Sequence, residues 1–132
     1  MIDVVIDTNI LVSALIVPGS KPEKIVELVF RNKLKVHYSK EIMEEYELVL
    51  FRPKFDFDRN TVNRWLNCII ENGHVSAPTP STFATSDESD RIFYDVAREC
   101  NTYLITGNAK HYPDEPFILS PAQFLTSFER EN

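Results

Sequence analysis

The sequence predicts an α/β fold in which helices cover both faces of a parallel β-sheet. Its 132 residues alternate between short apolar runs and longer segments with helical periodicity. The first run, Val4-Val5-Ile6, is uniformly apolar, as expected of a strand buried on both faces. That run ends abruptly at Asp7, and in open parallel sheets ligands bind just outside the carboxyl ends of the strands. We therefore expect a ligand site around Asp7.

Strands are predicted where short runs of apolar, β-branched or aromatic residues are bounded by turn residues. Four segments meet this description: 3–6, Leu34–Tyr38, 102–106 and 116–119. The segment 78–86 is rich in proline, serine and threonine, which predicts a surface connection. The chain contains no internal repeat or low-complexity tract, so residues 1–132 are predicted to form a single domain.

Helices are predicted between these strands from capping residues and apolar spacing. Ser20-Lys21-Pro22-Glu23 is a capping box that begins a helix at residue 21, and Ser39 is placed to cap the next one. The predicted helices span 21 to 31, 40 to 51, 59 to 71, 87 to 99 and 121 to 128, with ends accurate to a few residues.

Glu45 is the acid of the second predicted helix that lies nearest its buried face. Advancing by about 100° per residue, Glu45 falls roughly 40° from the edge of the apolar stripe, so it can lean over the sheet toward Asp7. The competing interpretation is that Glu45 is a solvated residue on an acidic helix face, and the two interpretations are about evenly matched.

Asp90 and Asn108 complete the candidate polar cluster. Asp90 lies roughly 20° beyond the apolar stripe of its helix. It also sits in the first helical turn, where an acid can serve simply to stabilise the helix dipole. Asn108 follows the strand 102–106, which places it in the same layer as Asp7. A Gly107-Asn108 pair is also a common turn.

A metal ion is implied if these carboxylates converge, because like charges held close together need a cation between them. Oxygen ligands favour Mg²⁺ or Mn²⁺ over Zn²⁺. The two cysteines and three histidines are scattered rather than spaced as a zinc site. A magnesium ion would neutralise phosphate charge and acidify a bound water, so the cluster suits phosphodiester hydrolysis.

Five segments, in order along nearly the whole chain, carry a family resemblance. They are Val-Ile-Asp-Thr-Asn-Ile-Leu-Val-Ser-Ala-Leu at 5–15, Ser-Lys-Glu-Ile-Met-Glu-Glu-Tyr-Glu-Leu-Val-Leu at 39–50, Arg-Pro-Lys-Phe at 52–55, Asp-Glu-Ser-Asp-Arg-Ile-Phe at 87–93 and Leu-Ile-Thr-Gly-Asn-Ala-Lys-His-Tyr-Pro at 104–113. In these segments the sequence resembles the PIN-domain ribonucleases, and most closely those that are toxins of toxin–antitoxin pairs.

The resemblance implies a three-layer α/β/α fold with a five-stranded parallel sheet and cleavage of single-stranded or looped RNA with Mg²⁺ or Mn²⁺. It assigns Asp7, Glu45 and Asp90 as catalytic metal-binding acids. Asn108 stands where the family usually has a fourth acid, and an amide oxygen is a weaker ligand. Thr8 and Asn9 match positions that support the first acid by hydrogen bonds. A structural turn role for both is the alternative.

The leading hypothesis is therefore a metal-dependent endoribonuclease. Asp7, Glu45 and Asp90 would hold the metal, with Asn108 as an auxiliary ligand, and water would displace the 3′ oxygen of RNA in line. Lys110 and His111 are candidate RNA-binding residues, although ordinary loop residues would look the same. The other basic residues of the first half, Arg52 among them, are interpreted as solvated surface.

Two other functions compete with the nuclease. A catalytically impaired PIN fold acting as a protein-interaction module would explain Asn108 and the acidic composition, a net charge of −6 with pI near 5.0. A phosphoacceptor receiver domain would require an acid pair after the first strand, whereas Thr8 and Asn9 follow Asp7.

The predicted surroundings follow from the toxin resemblance and from composition. An antitoxin protein and a second copy of the chain are the expected protein partners. No stretch approaches the roughly 20 apolar residues of a membrane span. The start Met-Ile-Asp-Val lacks the basic region of a secretory signal, so a cytoplasmic location is expected.

Overall fold

The computed structural model describes residues 1–81 and 88–131. Within these ranges, five parallel strands form a sheet and six α-helices accompany it. The strands are β1 (Ile2–Ile6), β2 (Leu34–Tyr38), β3 (His74–Val75), β4 (Tyr103–Ile105) and β5 (Ile118–Leu119). The helices are α1 (Thr8–Ile16), α2 (Lys21–Phe30), α3 (Lys40–Leu50), α4 (Arg59–Asn72), α5 (Glu88–Cys100) and α6 (Pro121–Glu131). This three-layer α/β/α architecture confirms the predicted fold class.

The strand order β3-β2-β1-β4-β5 places β1 at the centre of the sheet. From β1 the chain builds outward through β2 and β3, then crosses back to β4 on the other side of β1. Ile6 lies opposite Ile105, so β1 and β4 end side by side. The reversal of strand order between them creates the crevice in which open α/β sheets bind ligands.

The core is built on the two central strands. Val4, Val5 and Ile6 are completely buried, as are Leu104 and Ile105. Because neighbouring strand residues point to opposite faces, burial of consecutive residues shows that both faces of the sheet are covered. The ends of β1 and β4 are therefore held rigidly.

Tyr46 connects α3 to the end of β1. Its fully buried hydroxyl donates a hydrogen bond to the carbonyl oxygen of Ile6, and its ring centroid lies 6.1 Å from that of Phe93 on α5. Burial raises the pKa of Tyr46 well above its usual value, and the nearby Asp7 charge adds to the rise. Tyr46 therefore remains a neutral donor that positions α3 beside Asp7.

The predicted helix starts agree with the structure to within one residue because side chains cap them. The Ser20 hydroxyl accepts a hydrogen bond from the Glu23 N–H at 3.3 Å, and the Ser39 hydroxyl accepts from the Ile42 N–H at 3.2 Å. Glu23 reaches back to the Gly19 N–H at 2.8 Å, in the manner of a capping box. The predicted strands all form, although β4 and β5 are shorter than predicted.

Two elements were not predicted from residue patterns. Helix α1 begins directly after β1, so Thr8 and Asn9 form its first turn rather than a free-standing turn. Strand β3 consists of two exposed residues, His74 and Val75, which are too few to show a strand pattern; only the family resemblance implied a fifth strand. Part of the predicted connection 78–86, together with Asp87, lies outside the described residues.

A search of the described ranges for a helix that is both long and apolar enough to cross a bilayer finds none.

Candidate active-site cleft

A cleft of about 320 Å³ opens at the carboxyl end of β1. It is lined from three helices: α1 and the residue before it, α3 and Arg52 after it, and the first two turns of α5. Its polar lining includes Asp7, Thr8, Asn9, Ser13, Glu45, Arg52 and Ser89. The cleft therefore lies where the strand order predicts a ligand site.

Asp7 is the N-cap of α1 and is buried, with 7% of its surface exposed. Its Oδ2 accepts hydrogen bonds from the hydroxyls of Thr106 and Tyr112, each at 2.8 Å. Its Oδ1 accepts a longer bond, 3.5 Å, from the Asn9 N–H. The side chain is thus held by donors from both central strand ends, and Oδ1 keeps the larger capacity for a ligand.

Burial raises the pKa of Asp7 above its usual value of 3.8, because desolvation penalises the carboxylate. The hydrogen bonds from Thr106, Tyr112 and Asn9 oppose that rise, since they favour the charged form. A cation bound at Oδ1 would favour it further. The electrostatics of the cleft therefore suit a positively charged ligand.

Thr8 and Asn9 occupy different environments. The Asn9 side-chain oxygen accepts a hydrogen bond from the Gly107 N–H at 3.1 Å, which joins the end of β1 to the segment after β4. The Thr8 hydroxyl oxygen is buried and lacks a hydrogen-bond partner among the described residues, although Thr8 lines the cleft. A buried hydroxyl of this kind needs a water or ligand to satisfy it.

Glu45 shares the cleft with Asp7, as the helical arithmetic predicted. It is partly buried, whereas its neighbours Glu44 and Glu47 are exposed. The stripe beside it, including Ile42 and Tyr46, faces the core. The structure therefore brings together two of the three predicted acids from distant parts of the chain.

Comparison with known families identifies the fold. The PIN domain model matches this chain from residue 3 to residue 110. The chain belongs to the PIN domain family. It is also 36% identical over 110 residues to an uncharacterised protein of Methanocaldococcus jannaschii, an alignment that covers 81% of this chain and 71% of that protein. PIN domains are generally nucleases, so a nuclease-like fold is established here.

Asp90, the third acid that the sequence predicts for the site, lies near the start of α5. Its neighbour Ser89 lines the cleft, while the Asp90 Oδ2 lies 3.7 Å from the Nδ1 of His111. The Asp90 side chain is 14% exposed and that of His111 is 50% exposed. Among the described residues, no group of three His, Cys, Asp or Glu side chains is arranged to hold a metal ion. The role of Asp90 as a metal ligand remains a prediction.

Asn108 and Lys110, at the PIN motif after β4, are exposed. The Asn108 N–H donates to the Thr106 hydroxyl at 3.0 Å, while its side chain makes no capping bond to the short 3₁₀ helix at Ala109–His111. Neither Asn108 nor Lys110 is part of the described cleft lining. Their roles as auxiliary ligand and RNA contact stay predictions.

Sequence reasoning missed several residues at the PIN cleft. Thr106 and Tyr112 hold Asp7, yet neither lies near it in sequence, and only the pairing of β1 with β4 brings them close. Arg52 lines the cleft, although it was interpreted as solvated surface. A signal was present for Arg52: it follows Glu45 by seven residues, two helical turns along the same face.

Proposed function

We propose that this PIN domain is a metal-dependent endoribonuclease that hydrolyses RNA phosphodiester bonds, acting as one domain over residues 1–132. The observation that carries the proposal is the joint lining of one cleft by Asp7 and Glu45, with Asp7 buried and its Oδ2 held by two hydroxyl donors. Two acids placed this way at a strand-order reversal form a reaction site rather than a solvated surface.

The donor set fits Mg²⁺ or Mn²⁺. Mg²⁺ is commonly bound through one or two carboxylates while it keeps several waters, which matches Asp7 and Glu45 without a full protein cage. The buried Thr8 hydroxyl, which lacks a hydrogen-bond partner among the described residues, would be satisfied by a water of a hydrated cation in the cleft. When bound, the ion would stabilise charge on the phosphate and lower the pKa of a coordinated water.

We assign the residues of the cleft to separate roles in binding the cation, orienting Asp7 and contacting RNA. Asp7 and Glu45 bind the cation, and Asp90, at the cleft edge, is proposed as the third ligand. Thr106 and Tyr112 orient Asp7, because two donors on Oδ2 fix the plane of the carboxylate. Asn108 is proposed as a weaker auxiliary ligand. Lys110 and His111 are proposed to steady the RNA backbone, since both are exposed in the segment that follows Asn108.

A toxin role in a toxin–antitoxin pair is the finer part of this proposal. It is supported by the resemblance of the five sequence segments to PIN-domain toxins. It implies a cognate antitoxin that covers the acidic cleft, a homodimer, and a cytoplasmic location. Purification of the chain together with the product of its neighbouring gene, followed by RNA cleavage assays of the free and bound forms, tests this role.

A second candidate function, a protein-interaction module on a catalytically impaired PIN fold, is favoured by Asn108. Asn108 stands where the family usually has an acid. The residue is exposed and is not among the described residues that line the cleft. In this reading, partner binding would survive the loss of Asp7.

The decisive experiment is cleavage of a mixed RNA panel with Mn²⁺, Mg²⁺ or EDTA. The proteins compared are the native chain, Asp7→Asn, Glu45→Gln and the matched control Glu44→Gln, which alters an exposed glutamate on the same helix. We expect metal-dependent cutting that falls by on the order of 10³-fold in the first two variants and is unchanged in the control. Inactivity of the native chain with every metal would reject the nuclease and favour the interaction module.

A further inference from the structure

Among the residues that the structure describes, Arg52 is the basic residue that lines the cleft, together with Asp7 and Glu45. Two carboxylates alone would repel a polynucleotide, so a phosphate strand entering this cleft needs a compensating charge besides the metal. A guanidinium is well suited to this task, because its planar fork of N–H donors matches two phosphate oxygens at once.

The position of Arg52 is set by its backbone. Its N–H donates to the Val49 carbonyl at 3.2 Å, and its own carbonyl accepts from the Phe55 N–H at 3.1 Å. These bonds form a turn directly after α3, which ends at Leu50, and Arg52 lines the same cleft as Glu45 and Val49 of that helix. The side chain therefore starts from a backbone position that hydrogen bonds fix.

The Arg52 charge is available to a ligand. In the parts of the chain that the structure describes, no carboxylate lies within ion-pair distance of Arg52, and the residue is exposed. By contrast, Arg91 of α5 pairs with Glu88 at 3.0 Å. A cation beside an acidic cleft that makes no such pair is a candidate phosphate-binding group.

An aromatic platform follows Arg52 in the same turn. The rings of Phe55 and Phe57 stack at 5.0 Å between centroids with an interplanar angle of 5°. Phe57 packs against the hydrophobic core, whereas Phe55 lies outside that cluster and is partly exposed. The Lys54 ammonium lies 5.1 Å from the Phe55 ring centroid. Alternating cations and aromatic rings are typical of surfaces that bind single-stranded nucleic acid.

We propose that the segment 52–55 receives the RNA strand beside the cleft. Arg52 binds a phosphate next to the one at Asp7 and Glu45. A neighbouring unpaired base displaces the Lys54 ammonium from the Phe55 ring and stacks there, while Phe57 supports the ring. Duplex RNA keeps its bases stacked internally, so it cannot use Phe55 in this way. The inference rests on the proposed RNA substrate and assigns Arg52 and Phe55 as positioning residues.

The test is the binding of a fluorescently labelled oligouridine, measured by anisotropy in EDTA over a range of salt concentrations. All variants are made in the Asp7→Asn background, which blocks cleavage and removes one like charge from the cleft. The substitutions are Arg52→Ala, Arg52→Lys and Phe55→Leu. Arg130→Ala is the matched control, because Arg130 is an exposed arginine on α6. Thermal unfolding of each variant confirms that it folds.

We expect Arg52→Ala to weaken binding about tenfold, as loss of a charge-assisted hydrogen bond would. The slope of log K against log salt should fall by about 0.7, the value for one phosphate contact on a single strand. Arg52→Lys should keep the slope but recover only part of the affinity. Phe55→Leu should weaken binding about tenfold without a change in slope, because base stacking releases no counterions.

The outcomes separate this inference from the nuclease. If Arg52→Ala and Arg130→Ala bind RNA alike, with equal slopes, the inference is wrong even if the native chain cuts RNA. If RNA binding depends on Arg52 and Phe55 but the native chain cuts no RNA with Mn²⁺ or Mg²⁺, the inference stands and the nuclease falls. If no variant binds RNA, the inference is wrong, and the nuclease is decided separately by cleavage of the RNA panel with Mn²⁺ or Mg²⁺.

Discussion

The ends of β1 and β4 look alike in sequence but differ in the structure. In both, an apolar strand gives way to a short polar segment: Asp7-Thr8-Asn9 after β1 and Thr106-Gly107-Asn108 after β4. At the end of β1 the leading carboxylate is buried and faces the cleft. At the end of β4 only Thr106 is buried, and Gly107 and Asn108 are exposed.

The difference shows that the end of β4 supports the end of β1 rather than repeating it. The Thr106 hydroxyl donates to Asp7 and accepts from the Asn108 N–H, so the chain after β4 is tied to Asp7 through one oxygen. The Gly107 N–H holds the Asn9 side chain, and Tyr112 returns to donate a second bond to Asp7. The segment after β4 therefore acts as a clamp on Asp7.

The clamp also explains how a carboxylate is kept in an apolar setting. The fully buried Ile6 and Ile105 lie directly before the two polar segments, so Asp7 loses most of its hydration. Donors from Thr106 and Tyr112 replace part of the lost water. The charged residue, Asp7, thus follows β1, and the two hydroxyl groups that hold its Oδ2 come from the segment after β4.

Among the tests of this comparison between the two strand ends, the largest effect is expected from removing the clamp. In Thr106→Val with Tyr112→Phe, both hydroxyl donors to Asp7 are lost while the shapes of the side chains are nearly kept. Nuclease activity should fall about 10- to 100-fold, as for other groups that orient metal ligands. The acid limb of the pH–rate profile should move to higher pH, because these bonds lower the pKa of Asp7. Tyr103→Phe is the control, and unchanged activity of the double variant would refute the clamp.

A moderate effect is expected on stability when the buried charge is removed. The folded-state pKa of Asp7 is raised, so ionisation of Asp7 destabilises the fold as the pH rises through that pKa. Asp7→Asn keeps a good N-cap and removes this penalty, so in EDTA at neutral pH it should gain about 0.5–2 kcal/mol.

The pH dependence checks the origin of that gain. Thermal unfolding should show the two proteins converging as the pH is lowered below 3.8, the usual pKa of the carboxyl, because Asp7 is then protonated in both the folded and the unfolded chain. Added Mn²⁺ should stabilise the native chain and leave Asp7→Asn unaffected. A gain that is equal at all pH values would mean that the carboxylate charge is not its cause.

The smallest effect is expected at the end of β4. Asn108→Ala removes an exposed amide and leaves the backbone bond from residue 108 to Thr106 intact. If the clamp function belongs to Thr106 and Tyr112, activity should stay within about threefold of the native value, well below the cost of losing a ligand. Steady-state cleavage measures this, and a loss as deep as that of Asp7→Asn would show that the two strand ends carry equivalent ligands.

Much of the fold could be predicted because its signals are local. Ser20 and Ser39 begin their helices through hydrogen bonds only three residues long, and proline at position 22 favours the first turn. The apolar runs of β1 and β4 are recognisable for a similar reason. Helix α1 was not predicted, because its N-cap is Asp7, and that residue was interpreted only as an acid of the ligand site. Strand β3 was missed because pairing with β2, not its own composition, makes His74 and Val75 a strand.

The candidate site was predictable in part for the same reason. Helical periodicity places Glu45 beside the buried face of α3, and the carboxyl ends of parallel strands are where ligands bind. Both observations use only residues that are close in sequence, and together they predict that Glu45 lies near the cleft at Asp7. Arg52 lies just beyond the end of the same helix, yet its lack of a carboxylate partner within residues 1–81 and 88–131 depends on where the acids of the folded chain lie. Thr106 and Tyr112 are about a hundred residues from Asp7, with separations of 99 and 105 positions.

The sequence by itself determined which segments become helices and strands, that the sheet is parallel, and that Asp7 stands at a strand end in a PIN domain. Those outcomes depend on hydrophobic periodicity and caps, which act over a few residues. Only the tertiary structure decided which oxygen of Asp7 is held, that the end of β4 is a clamp, and that Arg52 faces the cleft. These depend on strand order and side-chain packing, which bring together residues that no local pattern connects.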